Sequence, residues 1–137
     1  MAEVNLLVEE RRSGLDVLAI WLPRIALAIV FLNVGSQKFG ADRMWVRIFD
    51  QIGVGQWFRY LTGTMQVGGA VLLLIPRTAA IGFVVVGCTM IGAVAFWILS
   101  GHPFGAIIPG ALLVAIAIVG FRDVSGFLAR LRHPTAR

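Results

Sequence analysis

The chain has 137 residues, of which 58% are hydrophobic and only 14% charged, and its mean hydropathy is +0.87. A water-soluble domain of this size needs far more polar surface, so the composition excludes one. The formal net charge is +5, but the basic residues are spread over termini, loops and the ends of apolar runs, where membrane proteins carry topology signals. No basic stripe faces an aromatic surface, which excludes nucleic acid as a partner.

In chain order, the first sixteen residues mix Glu3, Glu9, Glu10 and Asp16 with Arg11 and Arg12. A cleaved signal peptide would not carry that mixture, and the apolar run that follows is long enough to span. The first span is expected at about 18–39, with Pro23 in its first turns, where a missing amide donor costs least. A short helix follows at about 43–52: Met44, Trp45, Ile48, Phe49 and Ile52 recur at helical spacing while Arg43, Arg47 and Asp50 take the other side. That pattern is an amphipathic helix lying in the interface, as a strap or as a lid over a cavity between spans. The second span is expected at about 57–75, stopped by Pro76, and the third at about 78–99, ended by Ser100-Gly101-His102-Pro103. The fourth is expected at about 105–121. From Asp50 to Asp123 no carboxylate interrupts the run.

The expected fold class is therefore all-α: one integral membrane domain over residues 1–137, a four-helix bundle with a short amphipathic interfacial helix between spans 1 and 2. Four spans put both termini on one side, with tails at about 1–17 and 122–137. That side holds Arg11, Arg12, Arg77, Arg122, Arg130, Arg132 and Arg137, against Lys38, Arg43, Arg47 and Arg59 on the other. The excess places the termini in the cytoplasm and the protein in the inner (cytoplasmic) membrane. Trp57, Tyr60 and Trp97 suit the aromatic belt. Small residues are expected where helices touch: Gly82, Gly87 and Gly92 on the third span, Ala106 with Gly110 and Ala111 with Ala115 on the fourth.

Self-contained catalysis is not expected. A membrane thiol oxidase needs paired cysteines, and Cys88 is the single one. Haem, zinc or iron would need ligands within the spans, but His102 is in a loop and His133 in the tail. A proton-coupled exporter would hold an intramembrane carboxylate. Neither a phosphate loop nor a nucleophile elbow is visible.

The polar residues that do enter the spans are costly and so informative. Arg24 either snorkels to the headgroups or faces the bundle and pairs with Asp123. Arg24, Ala28, Phe31, Gly35 and Lys38 share one helical face, and Lys38 ends the span as an anchor or a ligand contact. Asn33 and Gln37, four apart, can bond to each other or to a neighbouring helix. Gln66 must find a partner, as interhelical glue or as a ligand-contacting amide. Met90 and Cys88 read as packing residues. The candidate ligand site is a cavity between the spans lined by Phe31, Asn33, Gly35, Gln37, Gln66 and Met90, with Arg24 and Lys38 near its two ends.

The segment Pro23-Arg24-Ile25-Ala26-Leu27-Ala28-Ile29-Val30-Phe31-Leu32-Asn33-Val34-Gly35-Ser36-Gln37-Lys38-Phe39 resembles the first-span signature of DoxX-like membrane proteins. Gly63 to Arg77, with Gly68-Gly69 and Leu72-Leu73-Leu74, resembles that family's second span, and Met90 and Ala93 fit its third. The resemblance implies a four-helix membrane bundle and an association with redox chemistry, through quinol oxidases, thiosulfate-to-quinone electron transfer and complexes with soluble oxidoreductases. The sequence departs from the family at Gln66, where glutamate is usual, so no ionisable role is implied there. The expected function is a non-catalytic subunit or lipophilic-ligand module in a redox or stress-response system, with a quinone or bound lipid as its ligand. The alternatives are a membrane subunit of a quinone-linked oxidoreductase, with a soluble partner chain holding the cofactor, and a small passive transporter or channel. Membrane lipid is an expected partner, and the small-residue faces could serve a homo-oligomer.

Overall fold

The computed structural model describes residues 2–132, with the side chains of 3, 14–121 and 123–125. Every regular element within it is helical: α1 (Ala2–Gln37), α2 (Arg43–Ile52), α3 (Gln56–Leu74), α4 (Ala79–Leu99), a 3₁₀ turn (Pro103–Ala106) and α5 (Ile107–Arg132). Three stretches are long and apolar enough to cross a membrane: Gly14–Gln37, Ala79–Leu99 and Pro103–Phe121. The remaining long helix, α3, has the length but is diluted by Gln56, Arg59, Thr62, Thr64 and Gln66, so three of the four expected spans stand on length and composition.

The outer helices run further than the apolar pattern predicts. The expected N-terminal tail is helix from Ala2, and the expected C-terminal tail is helix to Arg132. Apolar periodicity ends where a membrane ends, but intrahelical hydrogen bonding continues into water. The remainder of that tail, His133 and Arg137 included, lies outside the described residues. Pro23 consequently sits deep inside α1 rather than in its first turns, and it leaves the Ala19 carbonyl without its usual helical donor. Pro109 does occupy a first turn, that of α5, where no intrahelical donor is needed.

α1 packs along α3, α3 along α4 and α4 along α5, while α5 meets α1 only lightly. A single core joins them: Leu27, Ala28 and Phe31 from α1, Ala70 and Leu73 from α3, Ala79, Phe83, Val86 and Met90 from α4, and Ile116 from α5. In lipid, such helices associate through close packing rather than through escape from water, and glycine makes the closest approaches. A Cβ on Gly82 would lie 2.8 Å from both the Gly69 carbonyl oxygen and the Leu73 nitrogen. One on Gly35 would meet Val67 Cγ2 at 2.9 Å and the Gly63 carbonyl at 3.2 Å. Gly120 presses on the Phe83 ring, and Gly105 on Trp97. The other expected small-residue contacts are not used in this way: Gly92 and Gly110 face open space, Gly87 is loose against Ile116, and Ala111 is exposed. Cys88 is exposed as well, not packed within the chain.

The amphipathic helix forms where its pattern places it. Asp42 caps its start by accepting a hydrogen bond from the Met44 amide at 2.9 Å, and Gly53 ends it in the left-handed region at φ 75°, which a side chain would strain. Phe49 is buried, Trp45, Val46, Ile48 and Ile52 are half-buried, and Arg43, Arg47 and Asp50 are exposed; Met44 is the one expected apolar residue that stays exposed. Phe49 meets Phe58 of α3 edge-on at 6.0 Å, and Gln56 Nε2 donates to the Val46 carbonyl and to Asp50. Asp42→Ala removes the cap, and a helix this short has little reserve. The expected loss is about 1 kcal/mol, read as faster amide hydrogen exchange over α2 with α3 and α4 unchanged.

Candidate ligand-binding site

The face of α1 that the sequence singles out is the buried one. Arg24 (6% exposed), Ala28 (1%), Phe31 (0%) and Lys38 (6%) all lie inside, as does Gly35. The period of 3.6 residues returns each of them to the same side of the helix, and around Gly35 and Lys38 that side lies against α3. The matching stripe on α3 is Arg59, Gly63, Gln66, Ala70 and Leu73, all buried. Gly35 and Gly63 bring the two backbones together, and the polar groups gather around that crossing. The Lys38 Cβ lies 3.1 Å from where a Gly63 Cβ would be, and the Gln66 Cβ lies 3.1 Å from the same point on Gly35.

Lys38 stands just beyond the last residue of its span, Gln37. Its Nζ lies 5.1 Å from the centre of the Trp45 ring and 5.6 Å from that of Phe49, so α2 covers it with two aromatic faces. Rings stabilise a cation but cannot replace an acceptor, and among the described residues no carboxylate or hydrogen-bond acceptor reaches it. Burial pushes its ammonium down to about 8. One turn deeper, Gln66 is 1% exposed, and its Oε1 has no partner.

Arg59 is the residue that sequence reasoning missed. It is 4% exposed. Nη1 donates to the Gly40 carbonyl just past α1, Nη2 donates to Tyr60 Oη at 3.0 Å, and Nε is buried with no acceptor. Its spacing of four residues from Gly63 and seven from Gln66 places it on their face, and that was the available signal. Counting it as a topology charge concealed it. Helical spacing marks Trp45 and Phe49 as an apolar face, and the structure adds that this face covers a cation.

Not every expected lining residue comes inward. Asn33 and Gln37 are exposed, a correction to their place in the cavity. Gln37 Nε2 donates to Asn33 Oδ1, so each amide satisfies part of the other within α1. Gln37 Oε1 also accepts from Trp45 Nε1 at 3.4 Å, and through that bond it steadies the ring over Lys38. Phe31 and Met90 (4% exposed) belong to the apolar core.

Arg24 is separate from this cluster, about 21 Å away along α1 at 1.5 Å per residue. It pairs with Asp123 of α5: Nε donates to Oδ2 at 3.2 Å, and Nη2 donates to Oδ1. It also lies 5.7 Å from the centre of the Trp21 ring. Of the two readings of Arg24, the inward pairing is the one the structure displays. Bidentate, partly buried and placed where α1 and α5 otherwise meet lightly, the pair is a structural tie between the two outer helices.

The α1–α3 crossing therefore holds Lys38, Arg59 and Gln66 as buried polar residues beside an apolar core. Comparison with known proteins shows that the family model described as the DoxX-like family matches residues 22–119. No curated protein and no solved structure matches the chain.

Proposed function

Because the chain belongs to the DoxX-like family and buries polar groups without partners, we propose that it is a non-catalytic membrane protein that binds a lipophilic ligand with a polar head. The observation that carries this reading is the pair Lys38 and Gln66: a lysine only 6% exposed with no counter-charge among the described residues, and a buried amide oxygen with no donor. A buried polar group left unmade costs several times what a made bond contributes. Helix glue would satisfy such groups within the protein, whereas a ligand site leaves them open. A quinone or a lipid meets the chemistry, because each brings oxygen acceptors on an apolar body.

The same reading has α3 cross the bilayer with the other three, completing a four-helix bundle. Its 19 residues rise about 28 Å, close to the thickness of the hydrocarbon core, and its Arg59 and Gln66 point inward, away from acyl chains. Both termini then lie on one side. The Lys and Arg excess of that side assigns it to the cytoplasm and the protein to the inner membrane. α2 would lie along the opposite interface, as cover for Lys38. Service to a redox or stress-response system is the family-level part of the proposal. Co-purification of a soluble oxidoreductase supports it, and isolation as a solitary homo-oligomer counts against it.

Native mass spectrometry of the protein purified in mild detergent tests the binding itself. The wild type retains an amphiphile, and Lys38→Ala lowers the retained fraction about tenfold or more, as expected for loss of a charged hydrogen bond. A reproducibly empty wild-type preparation, or equal retention by the variant, overturns the reading.

A further inference from the structure

Lys38 is not the only buried cation where the end of α1 meets the start of α3. Arg59 is buried on the adjacent face of α3, and its Nε proton has no acceptor. Two carboxylates are close in sequence, yet both are committed elsewhere. Asp42 caps α2, Asp50 accepts from Gln56, and both are exposed. Among the described residues the one salt bridge is Arg24 with Asp123, at the far end of α1. The C-terminus of α1, whose Gly40 turn Arg59 contacts, supplies only about half a negative charge. That offsets part of one cation and leaves the other without compensation.

We propose that Lys38 and Arg59 form an anion site, so that the ligand is an anionic amphiphile with a phosphate or carboxylate head. This rests on the ligand-binding reading above and narrows it. A neutral quinone head would satisfy open donors but leave the charge of two desolvated cations unbalanced, which is the larger cost. An anionic head meets both demands, and an arginine beside a lysine is the donor set that phosphate and carboxylate prefer. Trp45 and Phe49 cover Lys38 and Tyr60 lies against the Arg59 guanidinium, and a low-polarity cover of this kind strengthens a charge–charge contact made beneath it.

The test uses the full chain, delipidated in a neutral detergent, and follows probe retention by native mass spectrometry. Four probes are compared: oleate, oleoyl-lysophosphatidate, oleoyl-lysophosphatidylcholine and decylubiquinone. At least one anionic probe is expected to bind about tenfold more tightly than the zwitterionic and neutral ones, and which one binds identifies the head as carboxylate or phosphate. Arg59→Gln abolishes that preference, while Arg59→Lys keeps most of it. Should Arg59→Gln fail to fold, the wild-type ranking alone still decides. Equal binding of neutral and anionic probes overturns the anion site and leaves the ligand-binding reading standing. Binding of no probe at all removes both.

Discussion

Replacing Asp123 with alanine is expected to destabilise the protein by about 3 kcal/mol, the lower end of what removing one partner of a buried ion pair costs. The lower end applies because the Asp123 side chain keeps 24% of its surface exposed while that of Arg24 keeps 7%. The loss arises less from the missing attraction than from the buried guanidinium left behind without a counter-charge beside the Trp21 ring. Arg24→Ala should cost less than Asp123→Ala, since the carboxylate it strands is nearer to solvent. The double variant should fall well short of the sum, because it strands neither charge. Unfolding in a mixed-micelle denaturant titration reads all three. Full additivity would show that the two residues do not act on one another. Because α1 and α5 touch lightly elsewhere, the same variants should also loosen α5 before the rest, visible as faster hydrogen exchange confined to it.

The second large effect is expected at Gly82. Its added methyl would meet backbone atoms of α3, the Gly69 oxygen and the Leu73 nitrogen, each at 2.8 Å. Backbone cannot swing aside as a side-chain tip can, so the two helices must separate and give up contacts along their whole crossing. Gly82→Ala should cost about 1–3 kcal/mol by overpacking, and Gly82→Leu should prevent α3 and α4 from associating. Gly92, ten residues along the same helix, has nothing within 4 Å. Gly92→Ala should be neutral or stabilise by up to about 1 kcal/mol through helix propensity alone. Melting temperatures of the two alanine variants in one detergent check the contrast, and a similar loss at both positions would refute the packing argument.

Gly82 and Gly92 also mark where reading the sequence reaches its limit. Both are glycines on one apolar helix, and the spacing of small residues does not distinguish them. Contact depends on how α4 is rotated against α3, and in a helix that is apolar all round no pattern of polar residues sets that rotation. On α1 and α3 the pattern is sharper. Arg24, Gly35 and Lys38 interrupt an apolar helix at steps of 3.6, and all of them prove buried. Asn33 and Gln37 look equally polar in sequence but satisfy each other on the exposed side, because a four-residue offset lets two amides bond within one helix. Gln66 has no such neighbour, and its oxygen stays open inside.

Composition and periodicity alone determined that this chain is helical, that it belongs in a membrane and where α2 begins and ends, because these depend on local spacing and on the cost of polar groups in lipid. They also singled out the α1 face that turns inward. Which helices touch, the pairing of Arg24 with Asp123 across 99 residues of chain, the cover of Lys38 by Trp45 and Phe49 and the reach of Arg59 to the Gly40 carbonyl were decided by tertiary structure. Those relations depend on rotation and depth between helices far apart in sequence, and no local pattern encodes them.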